Sequence, residues 1–283
     1  MVVPPPPVET ALRKLEALRT SLRPLLAQGL IVAYSGGVDS AFLLWAAETE
    51  RRATGGRLLA VTTVSASLSQ VEREDAARFA ESLGVEHRWE ESRELANPDY
   101  VRNDLNRCYH CKTELFRISH GLAAKFGYGH IAYGYNASDR GDFRPGHTAA
   151  AEQNILAPLS DAELAKPEIR ALMAAHDLPL ADKPASPCLS SRLMAGVTVT
   201  PDKLRDVEEL ETLVREGGVR VFRMRLHEHP GGRWLRLEVA VEEMPRILPL
   251  RDALQKAARA RGFSWLTLDL AGYQMGGGTA RTT

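Results

Sequence analysis

The stretch LIVAYSGGVDS, residues 30–40, joins an apolar run to a glycine-rich turn. The apolar run predicts a fully buried strand, and the residues from Ala41 onward predict a helix. The two glycines let the backbone turn sharply and come close to a ligand. The following helix offers free N–H groups and the positive end of its dipole. The stretch therefore predicts an anion-binding loop between a strand and a helix.

The side chains of this loop point to a nucleotide. Ser35 and Ser40 can donate hydroxyl hydrogen bonds to phosphate oxygens, whereas Asp39 repels phosphate unless Mg²⁺ bridges the two. A Walker A loop has lysine where this chain has Asp39, so the loop is not of that type. It resembles the PP-loop of the adenine nucleotide α-hydrolase superfamily, whose members cleave ATP between the α and β phosphates and adenylate an oxygen.

That resemblance implies ATP and Mg²⁺ as cofactors. It assigns them to the residues Ser35, Gly36, Gly37, Asp39 and Ser40. An ordinary strand-turn-helix junction is the alternative interpretation of the same string.

Apolar runs alternate with helical patterns on both sides of the loop. The predicted strands are 30–34, 58–64, 85–89 and 130–135, and the predicted helices are 8–28, 41–50, 70–83, 111–126 and 166–176. This alternation predicts an α/β fold of the PP-loop type, with a parallel sheet and helices on both faces. Sites in such sheets lie beyond the carboxyl ends of the strands, where Ser65–Ser67 and Asn136–Arg144 follow their strands directly.

The pattern changes from about Thr198. The following segments predict a small α+β domain: helices 201–216 and 246–261, and strands 220–227, 234–241 and 263–270. Clean alternation predicts a half-solvated sheet, with Arg223, Arg225 and His227 on its polar face. We therefore predict a proline-rich tail over 1–7, an ATP-binding domain over 8–196 and a C-terminal domain over 197–283.

Composition limits the classes of protein. Lys+Arg and Asp+Glu are both 36, so the chain lacks the basic excess that a long nucleic acid attracts. The first residues have no basic-then-apolar signal pattern, and no apolar run approaches the length of a membrane span. We expect a cytoplasmic protein that binds neither nucleic acid nor membrane.

The chain has three cysteines, Cys108, Cys111 and Cys188. An odd number argues against a disulfide framework. Cys108 and Cys111 stand at a predicted helix start, which favours the thiolate form. Three interpretations stay open: unconnected thiols, zinc with His110 or another fourth ligand, and a three-thiolate [4Fe–4S] cluster with one open iron. The cluster suits adenylation chemistry best, because an adenylated carboxylate needs a soft nucleophile such as sulfide.

Longer strings resemble the LarE family of ATP-dependent sulfur insertases. They are residues 35–40, 136–146, 188–192, 223–227 and 267–272, spread along nearly the whole chain. Family members make pyridinium-3,5-bisthiocarboxylic acid mononucleotide, a precursor of the nickel-pincer cofactor. The resemblance implies a pyridinium carboxylate mononucleotide as substrate, sulfide or another sulfur donor as co-substrate, and a homo-oligomer.

The family divides by its cysteines. Some members have one cysteine, at the position of Cys188, and give up its sulfur to become dehydroalanine. Others also have a pair matching Cys108 and Cys111 and are thought to hold a cluster that carries sulfide. The resemblance therefore implies a cluster on these three residues. A persulfide on Cys188 is a further version.

The resemblance also implies roles for other residues. Lys112 matches a lysine near the transferred sulfur, and Arg223 and Arg225 match arginines that hold the substrate phosphate, as two planar guanidinium groups would do well. The residues expected to contact substrate or nucleotide are Asn136, Asp139, Asp142 and Arg144. Each assignment has an alternative. Lys112 could be a solvated helix residue, the two arginines could form a polar sheet face, and the residues after the fourth predicted strand could be turn formers.

Three further assignments complete the predicted site. Arg192 is expected to support the Cys188 loop or an oxyanion, and backbone at Ser65 to line an adenine pocket. Lys166 and His227 are expected to serve the structure rather than catalysis.

Three other functions share parts of the pattern. A PP-loop tRNA thiolase would use the same loop and cysteines, but the zero net charge counts against it. An ammonia-using amide ligase of the NAD-synthase kind would give the cysteines no task. A nucleotide-binding regulator would bind ATP without turnover.

Overall fold

A computed structural model describes residues 8–141 and 145–274 of the chain. Among these residues it separates two compact units. The first unit comprises 8–64, 70–93, 108–141 and 145–185, and the second comprises 65–69, 94–107 and 186–274. The sequence-based domain boundary at 196/197 stays a prediction.

The strands and helices occur in the following chain order. The strands are β1 (Leu30–Ala33), β2 (Leu58–Val64), β3 (His87–Glu91), β4 (His130–Tyr133), β5 (Phe222–His229), β6 (Gly232–Val239) and β7 (Phe263–Leu268). The helices are α1 (Val8–Gln28), α2 (Val38–Thr54), α3 (Gln70–Leu83), α4 (Pro98–Val101), α5 (Arg107–Phe126), α6 (Pro145–Glu152), α7 (Pro158–Asp161), α8 (Lys166–Ala175), α9 (Pro201–Glu216) and α10 (Arg251–Ala260). In the described ranges, none of these helices has both the length and the apolar character needed to cross a membrane.

The first unit is built on a four-stranded sheet with the order β3-β2-β1-β4, in which every pair is parallel. Side chains of β1 alternate between two cores. Leu30 and Val32 pack with residues of α1, α2, α3 and α8. Ile31 and Ala33 pack with residues of α5 and α6. Helices therefore cover both faces of a parallel sheet, and the predicted α/β class is confirmed.

Element boundaries differ from the predicted ones by a few residues. Helix α2 begins at Val38 rather than Ala41, because Gly37 already stands in the N-cap position. Helix α5 begins at Arg107 rather than Cys111, after a turn in which the Asp104 carboxylate accepts a hydrogen bond of 2.8 Å from the Asn106 backbone N–H. Cys108 therefore lies in the first turn of α5 and Cys111 at the start of the second.

The second unit has a three-stranded sheet with the order β5-β6-β7. Strands β5 and β6 are antiparallel and place Arg223 opposite Glu238, whereas β6 and β7 are parallel with α10 between them in the chain. The prediction of a half-solvated sheet is wrong for β5, whose residues from Phe222 to Leu226 are all buried. Its arginines tolerate burial because Arg225 pairs with Glu238 and Arg223 lies over the ring of Tyr273.

Packing of α1 gives a direct test of this core. Leu22 is fully buried, whereas Leu12 on the same helix is 46% exposed. We expect Leu22→Ala to lower the free energy of unfolding by about 2–5 kcal/mol, because it removes buried contacts and leaves a cavity. Leu12→Ala should change it by less than about 0.5 kcal/mol. Chemical denaturation of both variants measures this, and equal losses would contradict the assigned core.

Candidate functional site

Hydrogen bonds among its own residues fix the conformation of the glycine-rich loop at the end of β1. Ser40 Oγ donates to the Gly37 carbonyl at 3.0 Å and accepts from the Ser35 backbone N–H at 3.2 Å. Gly36 has a φ of +74°, and a Cβ there would lie 2.9 Å from the Cβ of Ala76. Only glycine fits this conformation and this spacing. The loop therefore wraps the N-terminus of α2, where free N–H groups favour an anion.

A second glycine, at the end of β4, brings another backbone against the loop. A Cβ on Gly134 would lie 2.5 Å from the backbone nitrogen of Ser40 and 2.8 Å from its Cα. Since β1 and β4 are neighbours in register, with Ala33 opposite Tyr133, both strands end at the same level. Sequence reasoning missed Gly134, because a lone glycine after a strand does not show which backbone it approaches.

Asp39 stands in the first turn of α2 beside a lysine. Its Oδ2 lies 3.2 Å from Lys166 Nζ, at the start of α8. Among the described residues, Asp39 Oδ1 is one of the buried side-chain atoms without a hydrogen-bond partner. Burial raises the pKa of Asp39, and the Lys166 ammonium opposes that shift. A buried carboxylate oxygen of this kind is a ready ligand for a hard cation such as Mg²⁺.

The turn after β4 lies in the same unit and shares these neighbours. Asn136 and Asp139 form a capping box around the turn Ala137–Asp139, and the Ser138 hydroxyl accepts a hydrogen bond of 3.0 Å from the Lys166 backbone N–H. Asn136 is fully buried, and its Nδ2 has no hydrogen-bond partner in the described part of the chain. The predicted residues Asp39, Asn136 and Asp139 are thus brought together with Lys166.

A further lysine reaches the loop from the segment after α8. Lys183 Nζ lies 2.8 Å from Glu72 Oε2, 2.9 Å from Asp75 Oδ2 and 3.4 Å from the Gly36 carbonyl oxygen. Sequence reasoning missed this group, because no local pattern marks a lysine that meets its partners across more than 100 residues.

The cysteine pair and Lys112 lie at the start of α5. Cys108 is exposed, and Cys111 is partly buried. A Cβ on Gly146, at the start of α6, would lie 2.9 Å from Lys112 Cγ, so the lysine stem packs closely on that glycine. Asp142 and Arg144 lie outside the described residues.

In the second unit, the segment that carries Cys188 is tightly braced. Arg192 forms a buried ion pair with Glu211 at 3.0 Å, and its Nη1 donates to the carbonyl oxygen of Cys188 at 3.1 Å. The Ser191 hydroxyl donates to the same carbonyl at 2.7 Å. These contacts fix the backbone at Cys188. The role expected of Arg192 in the reaction stays a prediction.

One hydroxyl contact and one backbone hydrogen bond extend the contacts around this segment. The Tyr100 and Ser190 hydroxyls are 2.7 Å apart, and the Ser67 carbonyl accepts a hydrogen bond of 2.8 Å from the Leu189 backbone N–H. The side chains of Ser65 and Ser67 both donate to Glu94 at 2.5 Å. The role of Ser65 in an adenine pocket stays a prediction.

A cluster of arginines lies on and beside β5. Arg225 pairs with Glu238 at 3.0 Å and donates to the Ser191 carbonyl at 2.9 Å. Arg223 is buried above Tyr273, and burial followed by the positive charge of Arg192 lowers its pKa. A neighbouring anion would relieve this repulsion among like charges. An anion would therefore be favoured beside Arg223, whereas Arg225 is already paired with Glu238.

The three cysteines are divided between the units. Cys108 and Cys111 belong to the first, and Cys188 belongs to the second. Within residues 8–141 and 145–274, no three His, Cys, Asp or Glu side chains come together as a metal site. Within the first unit, the buried Oδ1 of Asp39 has no hydrogen-bond partner among the described residues and fits a bound Mg²⁺.

In comparisons with known proteins, the chain matches three relatives over most of their length. No protein-family model matches it. It is 37% identical over 265 residues to the uncharacterized protein slr1717 of Synechocystis sp., covering 93% of this chain and 96% of that protein. It is 28% identical over 250 residues to the pyridinium-3,5-bisthiocarboxylic acid mononucleotide synthase of Lactiplantibacillus plantarum, covering 88% of each. It is 25% identical to the uncharacterized protein MJ0830 of Methanocaldococcus jannaschii, covering 93% of this chain and 98% of that protein.

The fold and the loop define an α/β protein with a parallel sheet and a separate small C-terminal sheet. The chain belongs to one family with slr1717, and the match to the Lactiplantibacillus plantarum synthase confirms its resemblance to the LarE family.

The raised pKa of Asp39 makes stability depend on pH. Because burial favours the protonated carboxyl, the stability that Asp39 contributes is present at low pH and is lost as pH rises through the raised pKa. We expect the free energy of unfolding of Asp39→Asn, relative to that of the native chain, to rise as the pH increases above about 4. Denaturation curves across this range measure the difference. A difference that stays constant with pH for Asp39→Asn would contradict the assignment.

Proposed function

We propose that this chain is an ATP-dependent sulfur insertase that converts a pyridinium carboxylate mononucleotide into a thiocarboxylate for nickel-pincer cofactor synthesis. One observation carries the proposal: a loop without the Walker lysine surrounds a helix N-terminus and sets beside it the partly buried carboxylate of Asp39, whose buried Oδ1 has no hydrogen-bond partner among the described residues. The relationship to the synthase of Lactiplantibacillus plantarum supports the choice of substrate.

The first step is adenylation. A carboxylate oxygen of the substrate attacks the α phosphorus of ATP, forming an O–P bond and breaking the bond to the β phosphate, so that pyrophosphate leaves. The loop amides and the hydroxyls of Ser35 and Ser40 bind the phosphates. Asp39 would hold Mg²⁺, which when bound would neutralise part of the phosphate charge. Asn136 supplies a buried amide N–H₂ for an acceptor on nucleotide or substrate. The product is an acyl adenylate.

The phosphate of the mononucleotide is assigned to the arginine cluster. Arg223 and Arg225 present guanidinium groups from alternate positions of β5, and such groups bind phosphate through charge-assisted hydrogen bonds. Arg225 is held by Glu238, which fixes the direction of its remaining donors. Binding of the phosphate to these arginines orients the pyridinium ring at the other end of the substrate.

In the second step, sulfur attacks the carbonyl carbon of the acyl adenylate, and AMP leaves with the former carboxylate oxygen. Cys188 is the residue assigned to this step, because its backbone is held by Arg192 and Ser191. Lys112 is assigned to stabilise the negative charge on the leaving AMP or on the incoming sulfur. A second cycle thiolates the second carboxylate.

The cysteine pair decides the source of that sulfur. We propose, from the family resemblance, that Cys108, Cys111 and Cys188 hold a [4Fe–4S] cluster, whose chemistry when bound is to present external sulfide. Without the cluster, the Cys188 thiolate would displace AMP to form a thioester. Loss of the Cα proton to a base would then break the Cβ–S bond, releasing the thiocarboxylate and leaving dehydroalanine, so the protein would be a single-turnover reagent.

Replacing the cysteines separates adenylation from sulfur transfer. We expect Cys188→Ala to abolish thiocarboxylate formation, because no sulfur is presented, while substrate-dependent exchange of pyrophosphate into ATP continues. Mass spectrometry and radiolabelled pyrophosphate measure the two steps. Exchange that stops in this variant, or thiolation that persists, would contradict the assigned role.

The paired variant Cys108→Ala/Cys111→Ala tests the cluster. Protein purified without oxygen should contain about four irons per chain, and the paired variant should contain none. A native protein without iron, or dehydroalanine at position 188 after turnover, would contradict the cluster.

Removing one arginine should affect one substrate only. We expect Arg223→Gln to raise KM for the mononucleotide by about tenfold or more, because a charge-assisted hydrogen bond to phosphate is lost. KM for ATP and for the dephosphorylated nucleoside should stay unchanged. Arg233→Gln, on the neighbouring strand, is the control, since Arg233 pairs with Asp206 outside the cluster. An equal rise in KM for the dephosphorylated nucleoside would show that Arg223 supports the folded structure and does not bind the phosphate.

A further inference from the structure

Lys183 is a buried cation that the adenylation scheme leaves without a task. Its side chain is 11% exposed and lies between two carboxylates of α3, at 2.8 Å from Glu72 and 2.9 Å from Asp75. Its Nζ is also 3.4 Å from the Gly36 carbonyl, an atom of the phosphate loop itself. A role in stability alone would not require the Lys183 ammonium to contact the phosphate loop.

The charge of the loop gives the reason to look for a cation. Residues 35–40 contain Asp39 and no basic residue. A nucleotide triphosphate brings several negative charges to this site, and a single Mg²⁺ does not neutralise them all. Walker A loops solve the same problem with a lysine inside the loop, whose ammonium reaches the terminal phosphates. A loop of the present type must take such a charge from elsewhere in the fold.

We propose that Lys183 binds the terminal phosphates of ATP, in the role that a Walker lysine has in other loops. The ammonium is a compact charge on a flexible four-carbon stem, so a movement of its tip transfers its hydrogen bonds to phosphate oxygens. The inference rests on the proposed function, because it presumes that ATP occupies the loop.

Glu72 and Asp75 hold this lysine when no nucleotide is bound. Asp75 is shared with Arg78, which pairs with its other oxygen, so Lys183 and Arg78 together balance the charges of Glu72 and Asp75. Tyr34, whose hydroxyl is buried without a hydrogen-bond partner in the described ranges, has its pKa raised by burial and then by Asp75 and Glu72. The carboxylates therefore compete with phosphate for Lys183, and weakening them should strengthen nucleotide binding.

The test compares nucleotides that differ only in their phosphates. Calorimetric titration of the native chain and of Lys183→Gln uses AMP and the non-cleavable analogue α,β-methylene ATP, both with Mg²⁺. We expect the variant to bind the triphosphate about tenfold to a hundredfold more weakly, with affinity for AMP unchanged. Lys183→Arg should recover part of the loss, because it keeps the charge.

A matched control exists in the second unit. Lys203 is 13% exposed in its side chain and pairs with Glu228 at 2.7 Å, so Lys203→Gln removes a similar ion pair away from the loop. It should bind both nucleotides as the native chain does. The double variant Glu72→Gln/Asp75→Asn keeps the lysine and should bind the triphosphate more tightly, which tests the proposal even if Lys183→Gln does not fold.

The outcomes distinguish this inference from the proposed function. A native chain that binds neither nucleotide refutes the proposed function itself. A native chain that binds both, with a Lys183→Gln variant that loses both equally or neither, refutes only the role of Lys183. A double variant with unchanged or weaker triphosphate binding also refutes it.

Discussion

The close contact between the end of β4 and the start of α2 is the constraint on which the site depends. Gly134 has no room for a side chain, because the Ser40 backbone occupies the place of its Cβ. Parallel pairing of β1 and β4 in register brings the two strand ends to one level, where this contact can form. The loop amides and the turn at Asn136 are thereby fixed relative to each other before any ligand arrives. Preorganised donors of this kind need no rearrangement when charge develops.

The glycine-rich loop contains an acidic residue and no basic residue, and this explains why lysines from other segments lie beside it. Burial of Asp39 alone would be costly, and Lys166 offsets part of that cost. Asp39 Oδ1 has no hydrogen-bond partner among the residues that the structure describes. Lys183 meets Glu72 in the same way on the Gly36 side. Both lysines come from the segment that begins at α8 and leads towards Cys188. The loop therefore obtains its cations from distant sequence, which leaves its own backbone free for phosphate.

Local sequence predicts the elements well and the contacts poorly. The apolar runs locate β1 and β2, the glycine string locates the loop, and the parallel sheet with two covered faces follows from the alternation of patterns. Lys183 and Gly134 were missed, because their partners are defined by strand order and by contacts far apart in the chain. The buried arginines of β5 were misplaced for a related reason. Alternation shows which residues share a face, but only tertiary contacts show that Glu238 and Tyr273 cover that face.

The path of one oxygen atom tests the account most directly. If the substrate carboxylate attacks ATP at the α phosphorus, that oxygen leaves with AMP when sulfur takes its place. Substrate labelled with ¹⁸O in its carboxylates should therefore give AMP that carries one labelled oxygen for each thiocarboxylate formed, as mass spectrometry of the released nucleotide would show. Unlabelled AMP, or label found in inorganic phosphate beside ADP, would contradict an acyl adenylate and with it the assigned function of the loop.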